Sequence, residues 1–295
     1  MASRWLVRQL LLSCLFLTAC LPAVAQTADD DATPLRFGVL SIAPPARSYA
    51  DWKPFADYMA ERLGRPIEVV VPRGFERMKE AIENDDVDFF YINAHVLYRL
   101  KQTDSARGVL QMINLRGSHV SNSEIFVRAD SGIHSLEDLR GRRIAYISPI
   151  AAGAYLAPRA YLYEQGIESG EETEEVFTHN QSNSIYGVLL GDYDAAALCG
   201  VRYQLMSEKV NTGDLRVIGV SFEYAENLIA ARPELPQALI DEFTFIGAGM
   251  IDDPEGREIL RDMRPMKIQS FAPYDPAVEE ITRQQMDIGR LPGDV

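Results

Sequence analysis

The chain has 295 residues, 47% of them apolar, enough for a well-buried core and one or two domains. Its formal charge of −14 repels nucleic acid and anionic lipid, so no nucleic-acid partner is expected. Any anion site in so acidic a chain must be local, built from amides, hydroxyls and a few arginines.

Residues 1–25 read as a signal peptide: Arg4 and Arg8, an apolar run over 10–17, then Ala23-Val24-Ala25 before Gln26. Leu17-Thr18-Ala19-Cys20 also resembles the lipobox of bacterial lipoproteins, which makes Cys20 a candidate lipidation site. Either reading exports the mature chain to the periplasm. With Cys14 and Cys20 in the leader, Cys199 stands alone, reads as a small buried hydrophobe, and has no disulfide partner.

Residues 26–34 form a polar, acidic linker. A strand over 35–40 ends in a loop over 41–48 stiffened by Pro44 and Pro45. A helix over 51–63 puts Trp52, Phe55, Ala56, Met59 and Leu63 on one face, with Gly64 as its stop. A strand over 67–71, a helix over 75–83, a strand over 87–92, a helix over 93–102 and strands over 109–115 and 123–128 follow.

The second half repeats the order. Residues 143–147 make a strand, and Ser148-Pro149 breaks it. The small residues Ala151, Ala152 and Gly153 then open a helix that runs to 165. Next come a strand over 175–178, a helix over 183–190 and a strand over 195–198. Nearly the same offset separates Phe37 from Ile144 as separates Asp88 from Asp194, which marks matching junctions in two lobes of one topology. Strands over 215–220 and 228–231 precede helices over 236–246, 254–263 and 274–288, expected to pack outside the first lobe.

The expected fold is therefore α/β: two lobes, each a mostly parallel sheet flanked by helices, with a ligand cleft at the hinge. The first lobe takes residues 35–128 and 222–295, the second 129–221. The crossings fall near 124–131 and 219–232.

Ligands in open α/β sheets bind beyond the carboxyl ends of strands. That rule nominates loops 41–49, 72–75 and 91–95 in the first lobe, and 148–155, 178–184 and 198–203 in the second. The candidate ligand-binding residues they carry are Ser41, Phe75, Tyr91, Asn93 and His95, then Ser148, Ala151, Ala152, Gly153 and Tyr155, then Asn180, Gln181, Ser182, Asn183 and Arg202. The 151–153 turn suits an oxyanion, because backbone N–H groups and the positive end of the helix dipole meet there. For Ser182 or Asn183 a helix cap is the plain alternative, and for Arg202 a solvated surface position.

No Cys-x-x-Cys, Gly-x-Ser-x-Gly, His-Glu-x-x-His or phosphate-binding loop occurs. The four histidines, His95, His119, His134 and His179, lack metal-ligand spacing. The reading is a non-enzymatic binding protein without cofactor or metal.

Several stretches carry a family likeness: Leu35-Arg-Phe-Gly-Val-Leu40, Trp52-Lys-Pro-Phe-Ala-Asp-Tyr-Met59, Val87-Asp-Phe-Phe-Tyr91, Val127-Arg-Ala-Asp-Ser-Gly132, Leu136-Glu-Asp-Leu-Arg-Gly141 and Tyr155-Leu-Ala-Pro158. With these the chain resembles the periplasmic solute-binding proteins of phosphonate, phosphite and phosphate ABC importers. The resemblance implies the type II two-lobed fold, a monomer, a small anionic solute as ligand and a membrane permease as partner; a receptor docking on a membrane sensor is the alternative. It also implies that Tyr91 is a pocket tyrosine and that Phe75 stands at an aromatic ligand contact. The family's Ser-Thr-Ser-Gly turn is replaced by Ala151-Ala152-Gly153-Ala154, and a family histidine by Gln181. The amides survive the first change and the hydroxyls do not.

Overall fold

The computed structural model describes residues 33–40, 43–207 and 211–289. The leader, Cys20 and Ser41 lie outside the described residues. The elements run β1 (Leu35–Val39), α1 (Pro45–Leu63), β2 (Ile67–Val70), α2 (Gly74–Glu83), β3 (Phe89–Ile92), α3 (Ala94–Lys101), β4 (Arg107–Asn114), β5 (Val120–Ser121) and β6 (Ser123–Arg128). There follow β7 (Arg143–Tyr146), α4 (Ala157–Glu164), β8 (Glu174–Phe177), α5 (Gln181–Leu190), β9 (Ala195–Cys199), α6 (Gly200–Ser207) and β10 (Leu215–Val220). The chain closes with β11 (Tyr224–Ala225), β12 (Leu228–Ala231), α7 (Gln237–Gly249), α8 (Pro254–Asp262), β13 (Ile268–Pro273) and α9 (Ala277–Gly289).

Two large sheets form among the described residues, ordered β13-β4-β12-β3-β1-β2 and β10-β6-β9-β7-β8, with β5 and β11 paired as a small third. Each keeps a parallel core, β2-β1-β3 in the first and β8-β7-β9 in the second. The returning strands β12 and β13, and β6 in the second sheet, run antiparallel to their neighbours, so both sheets are mixed rather than mostly parallel. β6, expected in the first lobe, pairs with β9 and β10 in the second sheet. The crossings thus lie just before Ser123 and just after Val220, tied by Ser221 N–H donating to Ser123 O at 2.8 Å.

Strands buried on both faces explain the near-continuous apolar runs in the sequence. Along β3, Phe89 and Tyr91 join Trp52, Phe55, Met59 and Phe243 in one core, while Phe90 and Ile92 join Met78, Ile82 and Leu97 in the other. β9 divides likewise, Ala195 and Ala197 to one side, Ala196 and Leu198 to the other.

The repeat read from spacing reappears in hydrogen bonds. Asp88 accepts from the Arg36 amide at 2.7 Å, and its own amide donates to Arg36 O at 2.8 Å. Asp194 accepts from the Arg143 amide at 2.9 Å, and its own amide donates to Arg143 O at 3.0 Å. Each junction acid ties the first strand of its sheet's parallel core to the turn that precedes the third.

Besides the short strands β5 and β11, three elements differ from expectation. α1 starts at Pro45, because proline at the first helical position loses no hydrogen bond and already holds a helical φ. This turns part of the expected loop into helix and aims Arg47, Ser48 and Asp51 at the cleft. β13 has no clean alternation and falls between the expected helices over 254–263 and 274–288, where no strand is expected. α9, expected outside the first lobe, spans both: Val278 packs in a first-lobe core, Met286 against a second-lobe core, and Gln285 Nε2 donates to Glu223 O at 2.7 Å.

Candidate functional site

A cavity of about 350 Å³ lies between the two sheets. Its first wall is built by Leu40 after β1, Arg47, Ser48, Asp51 and Trp52 of α1, Tyr91 and Asn93 at the end of β3, Glu226 and Asn227 before β12, and Pro265 to Lys267 before β13. The opposite wall is Ile147, Ile150 to Ala154, Gln181, Leu198, Cys199 and Arg202, and Tyr224 closes the floor. The β1, β3, β7 and β9 ends converge here, where open α/β sheets bind ligands.

After Ala151 the chain winds as a π-helical turn over Ala152–Leu156, with Leu156 N–H donating to Ala151 O at 3.1 Å, before α4 begins. The N–H groups of a first helical turn have no intrahelical acceptor, and Ala152, Gly153 and Ala154 line the cavity. Gly153 is required by packing: a Cβ there would meet Tyr224 Oη at 2.0 Å and Cys199 Cβ at 3.0 Å.

Arg202 lines the same cavity as this turn. Its Nη1 donates to Pro265 O across the cleft at 2.8 Å, and its enclosed Nε has no hydrogen-bond partner. Among the described residues it forms no ion pair with a carboxylate. Burial pulls its pKa below the ordinary arginine value, with Cys199, Tyr91 and Glu226 opposing.

Lys267, a second enclosed cation of the cavity wall, is neutralised within the protein. Held at φ 69°, it donates from Nζ to Glu226 Oε2 at 2.9 Å and reaches Cys199 Sγ at 3.4 Å. Glu226 is 1% exposed, and its Oε1 accepts from Asn114 Nδ2 at 3.2 Å. Burial works against the Lys267 ammonium, but Cys199, Glu226 and Tyr91 more than offset it and hold its pKa above the ordinary lysine value. At the rim, Arg47 Nε donates to both Asp51 oxygens at 2.8 Å.

Aromatic rings line the first wall. Trp52 and Tyr91 stack at a tilt, centroids 4.4 Å apart. Tyr91 Oη accepts from Asn227 Nδ2 at 2.8 Å and donates to Met112 Sδ at 3.4 Å; burial pushes its pKa up to about 12.

Of the residues nominated from sequence, Tyr91, Asn93, Ala151, Ala152, Gly153, Gln181 and Arg202 come together in the cavity wall. Asn93 caps α3, accepting from Val96 N–H at 2.9 Å, and donates from Nδ2 to Ile150 O at 2.7 Å across the cleft. The remaining described ones are placed elsewhere. Phe75 packs on a first-lobe core with the Arg99 guanidinium over its ring. Tyr155 turns into the second-lobe core and donates to Glu175 Oε2 at 3.0 Å, and Ser148 sits in the turn where its carbonyl accepts from Ala151 N–H. Asn180 caps α5 by accepting from Ser182 N–H at 2.8 Å, so the cap is neither Ser182 nor Asn183, which occupy the first helical turn.

His95 is also buried away from the cavity, 4% exposed, with neither ring nitrogen hydrogen-bonded. Burial lowers its pKa to about 4 from the usual 6.5. Below pH ~6.5 the unfolded chain takes up a proton that the folded chain refuses, so this histidine's contribution falls as pH drops toward about 4, by about 3 kcal/mol in all. Urea unfolding of His95→Leu across that range is expected to lose that share of the acid sensitivity. A variant as acid-sensitive as the parent would contradict it.

Sequence reasoning passed over Trp52, assigned to core, and Cys199, whose thiol faces the cavity despite its burial. It also missed Arg47, Asp51, Tyr224, Glu226, Asn227 and Lys267. The last four come from the second crossing or the turn before β13, where no periodicity marks a residue.

The sequence profile described as ABC transporter, phosphonate, periplasmic substrate-binding protein matches residues 37–278. The chain belongs to that family. Among relatives, the phosphate-import protein PhnD of Mycolicibacterium smegmatis is 24% identical over 221 residues, 68% of each chain. The tetrathionate sensor histidine kinase TtrS of Salmonella typhimurium is 28% identical over 145 residues, 48% of this chain, so the match spans only 24% of the kinase. XAC2383 from Xanthomonas citri, solved bound to ATP, shares the fold at a TM-score of 0.77 and 21% identity, covering 88% of this chain and 98% of that one. The architecture is the type II periplasmic binding fold, and the family is one of solute-binding proteins rather than an enzyme class.

Proposed function

We propose that the cavity holds one small anionic solute and that the chain delivers it to the membrane permease of an ABC importer. The observation that carries this reading is Arg202: a largely enclosed guanidinium in the cavity wall, with no carboxylate partner among the described residues, sharing that cavity with the free amides of a helix start. A ligand oxyanion supplies the missing partner, and fork-shaped guanidinium donors match planar or tetrahedral oxygens. Phosphate and tetrathionate, the ions in the names of the two relatives, are both oxyanions and support the same class.

The crossings at Ser123 and Val220 serve as the hinge, and closure brings Asn93 to Ile150 and Arg202 to Pro265. The leader exports the chain, with Cys20 as an alternative lipid anchor. The match to a sensor kinase favours a second reading, in which the closed form docks on a membrane sensor instead of a permease.

Thermal melting of residues 26–295 against inorganic oxyanions, sulfonates, phosphonates and carboxylates tests the binding claim. An anion at about 1,000 times its Kd adds about 4 kcal/mol, which raises the midpoint by roughly 8–16 °C. A midpoint unmoved by every anion at high millimolar concentration, with neutral sugars doing better, would sink it.

A further inference from the structure

Resting on that reading, we infer that the cavity selects oxyanions that carry no hydroxyl proton, sulfonates foremost, over phosphonates and phosphates in their hydrogen-bearing form. The wall facing the solute is rich in donors. The 152–154 amides, Arg202, the third Lys267 N–H and the Tyr224 hydroxyl can each give a hydrogen bond.

Charged acceptors are the missing half. A monoprotonated phosphonate must donate its P–OH, and carboxylates hold such a proton most strongly. Among the described residues two carboxylates border the cavity, and both already face a cation. Asp51 meets Arg47 with both oxygens. Glu226 is almost wholly buried between Asn114 and Lys267. Several neutral oxygens of the rims are engaged as well: Ile150 O accepts from Asn93, Pro265 O from Arg202, and Asn93 Oδ1 from Val96 N–H, which leaves the Gln181 and Asn227 amides and the Ser48 hydroxyl as uncharged acceptors. At the turn itself Ala151, Ala152 and Ala154 offer no hydroxyl that could switch between giving and taking a proton.

A sulfonate is ionised at every physiological pH and needs donors only. A phosphonate entering as the monoanion leaves its hydroxyl unpaired or shared with a neutral side chain, and a polar group closed off without a proper partner loses binding.

The isosteres methanesulfonate and methylphosphonate provide the test, titrated calorimetrically into the intact mature chain at about pH 5.5 and about pH 8.5, either side of phosphate-type second ionisation. Methanesulfonate is expected to bind at least tenfold tighter at the lower pH, with the gap narrowing at the higher pH as methylphosphonate sheds its proton. Methylphosphonate binding as tightly as methanesulfonate, or tighter, at about pH 5.5 overturns the selectivity and leaves the anion site standing. Failure of both, together with every anion of the melting panel, overturns the anion site as well.

Discussion

Arg202→Gln is expected to weaken binding of the anion by roughly 10- to 150-fold, the worth of one hydrogen bond to a charged group, and by more if both arms of the fork engage. The fold should not suffer with it. The guanidinium is partly desolvated and has no carboxylate to lose among the described residues, which offsets the bond to the Pro265 carbonyl that the shorter glutamine gives up. The midpoint of the free protein is therefore expected to stay put or rise slightly. Arg202→Lys keeps the charge but not the planar fork, and should fall between the parent and Arg202→Gln. Calorimetric titration of the three proteins with one anion gives the order directly. Equal affinities would remove Arg202 from the site, whatever else the cavity binds.

Lys267→Met should do the opposite: a large loss of stability. It strips the ammonium from Glu226 and leaves a carboxylate at 1% exposure with Asn114 as its remaining side-chain partner. Breaking a buried pair from one side costs about 3–5 kcal/mol, a drop in midpoint of roughly 6–20 °C at this chain length. Removing both charges is far milder, because an apolar pair of similar volume costs little in a closed interior. Lys267→Met with Glu226→Leu should recover most of the lost midpoint. A single variant that melts within a degree or two of the parent would show that the pair is solvated and does not brace the first wall of the cavity.

The two cations thus have separate duties, and the sequence distinguishes them poorly. Arg202 could be nominated because it follows a strand end, and strand ends are found from runs such as Ala195 to Cys199. Lys267 lies in a short turn between helix and strand, and nothing local ties it to Glu226, which is 41 positions earlier. The pairing exists because β12 and β13 flank β4 in one sheet. Long-range pairing of this kind leaves no periodic trace in the sequence.

The elements themselves were legible because double-sided burial writes continuous apolar runs, and because Asp88 and Asp194 repeat one hydrogen-bond role in each lobe. Aromatic side chains misled in both directions. Trp52 reads as core from its helical phase yet also stacks on Tyr91 at the cavity wall, while Phe75 and Tyr155, next to strand and helix ends, turn into the cores. Helix phase gives the direction in which a residue leaves the axis. It does not say whether the neighbouring lobe or a cavity lies beyond.

The central claim is that an oxyanion sits between Arg202 and the 152–154 turn. Anomalous diffraction from crystals grown with selenate, a fully ionised oxyanion with a strong scatterer, locates it most directly. The expected result is a selenium peak inside the cavity, with oxygens at hydrogen-bonding distance from the Arg202 guanidinium and from the amides of Gly153 or Ala154. Selenium on the outer surface alone, with the cavity holding none, would contradict it.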